Sequence, residues 1–243
     1  MTDTDCVALV TGANKGIGLE IARQLAQAGL LVIIGARDLG RASAAVADLA
    51  SQGLSAQSML IDLNDHASIA AAAEAIRTQY GRLDILVNNA GVVDADDGPP
   101  TVAAPSAVRR ILDTNFVGTL AVTQAMLPLL RKSPAARIVN LSSSLGSLTL
   151  NGDPSSPYYA ARLLGYNASK AALNMLTVQL AEELRDTSIV VNSVSPGYVK
   201  TDLTGHNGFM TAQEGAKLPV MYALLREDAV SGKFVEPSGP TPW

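Results

Sequence analysis

Tyr166 and Lys170 stand four positions apart in GYNASKAAL, Gly165 to Leu173, a stretch that reads as helix. Residues i and i+4 are neighbours on a helix surface, so a phenol and an ammonium share one face and can act together. By itself the spacing also fits an amphipathic helix with two long polar side chains at its rim. A second chemical feature opens the chain, where the apolar run CVALV leads into TGANKGIG with glycines at Gly12, Gly16 and Gly18. A strand-to-helix turn that receives a phosphate needs residues that tolerate positive φ and let the anion approach the backbone. The helix behind it offers free N–H groups and a positive dipole end to a pyrophosphate. The spacing is GxxxGxG rather than the commoner GxGxxG, but its place between an apolar strand and a helix predicts a dinucleotide site.

The type of dinucleotide depends on the end of the second strand. An acidic residue there would hydrogen-bond an adenosine ribose diol and repel a 2′-phosphate. In VIIGARD that position is Gly35, followed by Ala36 and Arg37. An arginine takes a phosphate bidentately, and Lys15 in the glycine turn supplies a second cation from the other side. Two cations converging on this point favour NADPH over NADH. Asp38, one residue on, is expected to point away.

These residues need a scaffold, and the chain supplies one by alternation. CVALV is followed by the helical GIGLEIARQLAQAG, LLVIIGAR by DLGRASAAVADLASQG, and SAQSMLIDL by DHASIAAAAEAIRTQYG. Three further strand runs, LDILVNNAG, ARIVNLSSS and TSIVVNSVSPG, complete the series. Apolar runs without polar alternation suit parallel strands covered on both faces. Strand–helix repetition predicts a single-domain α/β fold over residues 1–243, a Rossmann-type doubly wound parallel sheet with right-handed crossovers. Asp94–Pro105 and Ser147–Gly165 break the pattern as long connections. Both leave the sheet at the carboxyl ends of strands, where ligands bind in open parallel sheets, and both are expected to wall a substrate pocket. Tyr158 and Tyr159 would either line that pocket or pack the 147–165 insertion onto the sheet.

Composition excludes several classes of function. Apolar residues make up 48 % of 243, and the net charge of −4 comes with scattered lysines and arginines, which argues against a nucleic-acid surface. Apolar stretches such as GLLVIIGA are too short to cross a bilayer, so no membrane association is expected. Cys6 is the only cysteine, and His66 and His206 are the only histidines, so neither an intramolecular disulfide nor a metal site is expected. No basic run followed by an apolar run opens the chain, and the expected location is cytoplasmic.

TGANKGIG, NNAG (Asn88 to Gly91), Asn115 in NFVG, Ser143 in IVNLSSS, YNASK and PGYVKT (Pro196 to Thr201) occur in this order. Together they resemble the short-chain dehydrogenase/reductase family over nearly the whole chain. Within it, Lys15 paired with ARD, together with PGYVKTDLTG, EGAKLPVMYALL and GKFVE, is similar to the NADPH-dependent carbonyl reductases. The resemblance implies that Asn115, Ser143, Tyr166 and Lys170 are catalytic. Tyr166 would protonate a carbonyl oxygen as hydride reaches the carbon. A free phenol has a pKa of about 10, and a cation beside it lowers that value, the work assigned to Lys170 along with holding the nicotinamide ribose. Ser143 would bind the substrate oxygen together with Tyr166. Ser144 is the alternative, because neighbouring strand residues face opposite ways. Asn115 would anchor a water linking Lys170 to solvent.

The resemblance also implies a set of NADPH/NADP+ contacts. They comprise Gly12, Asn14, Lys15, Gly16, Ile17, Gly18, Arg37, Asp62, Leu63, Asn89, Gly91, Tyr166, Lys170, Pro196, Gly197, Val199 and Thr201. Asp62 would meet the adenine edge, Asn89 and Gly91 the adenosine ribose side, and Val199 with Thr201 the carboxamide. The activity implied is reduction of a small-molecule ketone or aldehyde to an alcohol. Two alternatives remain open: a 3-oxoacyl thioester reductase using the same residues, and a non-catalytic NADPH-sensing protein. The helix bearing Tyr166 packs against a neighbouring subunit in many family members, so a homo-oligomer is possible and a monomer equally so.

Overall fold

The apolar runs become strands that are buried on both faces. In β1 (Val7–Thr11) all five residues are buried, and side chains alternate between two cores. Ala8 and Val10 join Ile21, Leu25 and Leu49 on one face, while Val7 and Leu9 join Ile76, Met126 and Leu180 on the other. The computed structural model describes residues 6–226 and 229–243. Helices α1 (Gly16–Gln27), α2 (Leu39–Ser51) and α8 (Ala212–Ala223) contribute to the first core. Helices α3 (His66–Tyr80), α5 (Thr119–Leu130) and α7 (Leu164–Glu183) contribute to the second.

The remaining strands are β2 (Leu31–Ala36), β3 (Ala56–Leu60), β4 (Ile85–Asn88), β5 (Arg137–Leu141), β6 (Val190–Val194), β7 (Phe234–Glu236) and β8 (Gly239–Pro240). Their order is β3-β2-β1-β4-β5-β6-β7-β8, with every pair parallel except β7–β8. The chain moves outward from β1 to β3, then returns to place β4 on the other side of β1. That reversal creates a crevice beyond the carboxyl ends of β1 and β4. The expected doubly wound sheet is therefore present, extended by β7 and β8. These two strands are too short to carry a periodic signal, and sequence reasoning did not find them.

Two boundaries differ from expectation. The segment at 147–165 is not a plain loop: it contains α6 (Leu148–Gly152), and α7 already begins at Leu164, so Gly165 lies in the first helical turn. Between α4 (Pro105–Leu112) and α5 lies a π-helical segment, Asp113–Gly118. Such wide turns interrupt α-helices mostly at functional sites, and this one contains Asn115. Gly118 lets this segment pack against Leu63, because a Cβ there would overlap the Leu63 carbonyl carbon at 3.0 Å and the Leu63 Cβ at 2.6 Å. No helix among the described residues is long and apolar enough to cross a membrane.

Candidate active site

At the crevice the turn after β1 takes the left-handed conformation at Gly12 (φ 64°) and Gly16 (φ 58°). A Cβ on Gly12 would lie 2.9 Å from the Ala90 Cα, so glycine is required both for φ and for the approach to β4. Asn89 Nδ2 donates to the Thr11 carbonyl at 2.8 Å and the Gly12 carbonyl at 3.2 Å. Its amide nitrogen thus clamps the turn. At the head of α1 the N-cap Lys15 makes no side-chain cap and the first turn carries no acidic residue, leaving an uncompensated positive dipole end.

A cleft of about 760 Å³ runs from this turn to the helix carrying Tyr166 and Lys170. Every residue expected to contact cofactor or substrate lines it: Gly12, Asn14, Lys15, Gly16, Ile17, Gly18, Arg37, Asp62, Leu63, Asn89, Gly91, Ser143, Tyr166, Lys170, Pro196, Gly197, Val199 and Thr201. Asn115 lies behind the wall, 1 % exposed. Gly35 near the end of β2 is tightly packed where a carboxylate would mark a ribose diol. A Cβ there would sit 3.1 Å from Ile61 Cδ1 and 3.3 Å from Leu9 Cδ1. Arg37 has no ion pair among the described residues, whereas Asp38 caps α2 by accepting from the Arg41 N–H at 3.0 Å. Lys15 pairs with Asp202, which also meets His206 at 3.1 Å, so the lysine bridges the two lips of the cleft. The glycine turn, the bare helix end and the two cations fit a dinucleotide carrying a further phosphate.

At the other end, the three serines after β5 separate by their partners. Ser142 donates to Asn174 Oδ1 at 2.6 Å. Ser144 donates to Glu236 Oε2 at 2.5 Å, and its Oγ lies in hydrogen-bond contact with Ser195 Oγ at 3.0 Å. Ser143 is the one of the three whose side chain acts on the Tyr166 phenol, lowering its pKa; it lines the cleft with Tyr166, and its Oγ accepts from the Leu145 N–H at 3.2 Å. Gly146 lets this loop dock on α7, since a Cβ there would fall 2.7 Å from the Lys170 carbonyl carbon.

Lys170 is 5 % exposed, with Nζ donating to the Leu141 carbonyl at 2.7 Å and lying 5.6 Å from the centre of the Tyr166 ring. The expected lowering of the phenol by this cation is not what the site displays. Burial pushes Tyr166 up to about 12, opposed only by the neighbouring Ser143 hydroxyl. Burial also pushes the Lys170 ammonium down to about 8. Both side chains resist charging because the surrounding protein removes water from them. Lys170 is held back from the phenol by its bond to β5.

Asn115 pins the parts together. Its Nδ2 donates to the Val92 carbonyl at 2.9 Å and to Ser169 Oγ at 3.0 Å, and its Oδ1 accepts from the Val92 N–H at 2.8 Å. A Cβ on Gly91 would lie 3.5 Å from Asn115 Oδ1 and 3.6 Å from Lys170 Nζ, which places these three residues around one point.

The two insertion tyrosines do not line the cleft. Tyr158 donates to Glu236 Oε2 at 2.6 Å and so packs the insertion onto β7, while Tyr159 stacks under the Arg162 guanidinium at 4.1 Å. Glu236, Asp202 and Asp97, which caps α7, went unnoticed in the sequence. Each acts on a partner remote in the chain, and no local pattern marks them.

A sheet that reverses direction at β1 and β4, with a glycine turn and a Tyr–Lys helix meeting in one cleft, defines a nucleotide-binding protein of the doubly wound class. The short chain dehydrogenase family matches residues 6–210. The chain is 34 % identical to (−)-isopiperitenone reductase of Mentha piperita, covering 96 % of this chain and 97 % of that protein. It is 33 % identical to carbonyl reductase (NADPH) 1 of Bos taurus, covering all of both. The crystal structure of NADPH-bound carbonyl reductase from chicken fatty liver superposes with a TM-score of 0.85 at 31 % identity, over 98 % of this chain and 99 % of that one. The chain therefore belongs to the short-chain dehydrogenase/reductase family of oxidoreductases and is similar to its carbonyl reductases.

Proposed function

We propose that this protein reduces a ketone or aldehyde to an alcohol with NADPH, Tyr166 acting as the general acid. The observation that carries the proposal is that Ser143, Tyr166 and Lys170 line the same cleft as the glycine turn and Arg37. NADPH, when bound, supplies the hydride. Gly16, Ile17 and Gly18 would hold the pyrophosphate on the α1 dipole, and Arg37 would take the 2′-phosphate, with Lys15, now paired with Asp202, as the second cation for it. An exposed ion pair contributes at most about 1 kcal/mol, so a dianion displaces it readily.

The Ser143 Oγ already accepts from Leu145, which leaves its own hydrogen to donate to a carbonyl oxygen. Tyr166 donates to the same oxygen. Two donors aimed at one oxygen stabilise the negative charge that grows there as hydride arrives. A phenol held at about 12 stays protonated at neutral pH, which is the form that reduction requires. The cation contributes after the proton has left. The Lys170 ammonium, about 6 Å away by ring centre, then faces a phenolate in dry surroundings where charges attract strongly. Return of the proton runs through Lys170. Because the Asn115 side chain is committed to Val92 and Ser169, the water expected there would rest on its main-chain carbonyl, which also accepts the Thr119 hydroxyl at 3.0 Å.

The test is cofactor oxidation with a panel of small ketones, α-dicarbonyls, aldehydes and one acyl thioester, run with NADPH and NADH in parallel. NADPH-driven turnover of free carbonyls supports the proposal. Turnover confined to the thioester reassigns the substrate, and tight NADPH binding without turnover of any carbonyl points to a sensor.

A further inference from the structure

We propose that Asp97 is a positioning residue for the reduction: it fixes the head of the catalytic helix from outside and thereby sets the placement of Tyr166. This inference rests on the reading of Tyr166 as the proton donor.

The first turn of any helix leaves N–H groups without intrahelical partners. The N-cap of α7 is Leu163, whose side chain has no acceptor, and it makes no cap. The unpaired donors are instead taken by two residues of the 94–104 connection, more than sixty positions earlier in the chain. The Leu164 N–H donates to the Gly98 carbonyl at 3.0 Å. The Gly165 N–H donates to Asp97 Oδ1 at 2.8 Å, and the Tyr166 N–H to Asp97 Oδ2 at 3.0 Å. Asn167 then begins the intrahelical series by donating to the Leu163 carbonyl at 2.8 Å. One carboxylate therefore grips the backbone of the proposed acid and of the residue before it, one oxygen to each.

The support is itself anchored. Asp94 Oδ2 accepts from Arg110 Nε at 2.8 Å, and the Asp96 carbonyl accepts from the Ala104 N–H at 3.0 Å, tying the connection to α4. Gly165 lets α4 approach, since a Cβ there would meet Val108 Cα at 3.1 Å and Ile111 Cδ1 at 3.0 Å. One turn further along, Ser169 is held by Asn115. Helix α7 is thus fixed at two points near its head, with Tyr166 between them.

The carboxylate is chemically specific. An amide offers one acceptor and turns an NH₂ towards the second N–H, and alanine offers neither oxygen. A carboxylate also complements the positive helix end. Misplacement of a reacting group by about 1 Å costs on the order of 100-fold in rate, and a first turn without its carboxylate is expected to displace Tyr166 by less than that.

The experiment compares wild type with Asp97→Asn and Asp97→Ala, the Asn variant carrying the test should the Ala variant fail to fold. Steady-state kinetics with NADPH and a carbonyl are combined with amide hydrogen exchange. A roughly tenfold loss of kcat is expected in the folded variants, with KM and NADPH affinity within about twofold. Gly165 and Tyr166 should lose exchange protection while Leu173 to Leu180 keep theirs. A purely structural cap would lower thermal stability and leave kcat per folded molecule unchanged, and that result overturns the proposal. So does retained protection at Gly165 and Tyr166. If wild type turns over no carbonyl, the function assignment fails separately, and the exchange measurement alone decides whether Asp97 holds this turn.

Discussion

Replacing Lys170 by methionine gives a stability signature that depends on neither cofactor nor substrate. The ammonium is 5 % exposed, and burial lowers it from 10.5 to about 8. Below pH 8 the lysine is charged in both the folded and unfolded states, and the folded state bears the desolvation penalty. Between pH 8 and 10.5 the unfolded chain keeps a proton that the folded protein has released, so stability rises with pH through this window. At about 1.36 kcal/mol per pKa unit, the rise amounts to about 3 kcal/mol. Lys170→Met removes it. The variant also strips the Leu141 carbonyl of its donor, at a cost of about 1–3 kcal/mol that does not vary with pH, so the slope is the diagnostic. Tyr166 contributes an opposing fall between pH 10 and about 12, present in both proteins and cancelling in the difference. Urea unfolding at intervals from pH 7 to 10.5 should show wild type gaining about 3 kcal/mol on the variant. Parallel stability–pH curves would refute the claim that the lysine is held in a dry site, and with it the reason the site tolerates so costly a group.

Three further expectations concern other parts of the cleft. Gly146→Ala places a Cβ 2.7 Å from the Lys170 carbonyl carbon; it should destabilise the fold by about 1–3 kcal/mol and lower kcat more than it raises KM, read by thermal unfolding and steady-state kinetics. Arg37→Gln should weaken NADPH binding about 10- to 100-fold, as expected for loss of hydrogen bonds to a charged group, while leaving NADH binding nearly unchanged in a fluorescence titration. Tyr158→Phe removes the hydrogen bond to the Glu236 carboxylate, a bond to a charged group worth about 1.5–3 kcal/mol, and should speed amide exchange over Leu148 to Gly152 with kcat within about twofold.

What the sequence made legible was local. The turn after β1 announces itself because its glycines, its strand and its helix are contiguous, and the family resemblance of IVNLSSS at the end of β5 singles out Ser143, with Ser144 left as the alternative. Gly35 was read as a missing carboxylate; its close packing against Ile61 and Leu9 disfavours any side chain there. Long-range features stayed hidden. Asp97 acts on residues far along the chain, the Glu236 contacts with Ser144 and Tyr158 join three separate segments, and the π-helical turn at Asn115 packs through Gly118 against Leu63. The direction of the Tyr166 shift was also out of reach, since helical spacing brings the ammonium near but does not reveal that it leans towards Leu141 or how dry the phenol is.

The central claim is that Tyr166 donates the proton in an NADPH-dependent carbonyl reduction. It is tested most directly by NADPH oxidation with the best carbonyl of the panel, for wild type and Tyr166→Phe, alongside NADPH affinity for each. The account predicts a loss of kcat of at least about 100-fold, the lower range for a positioned acid, with cofactor affinity retained. Turnover by the phenylalanine variant within a few-fold of wild type would contradict it.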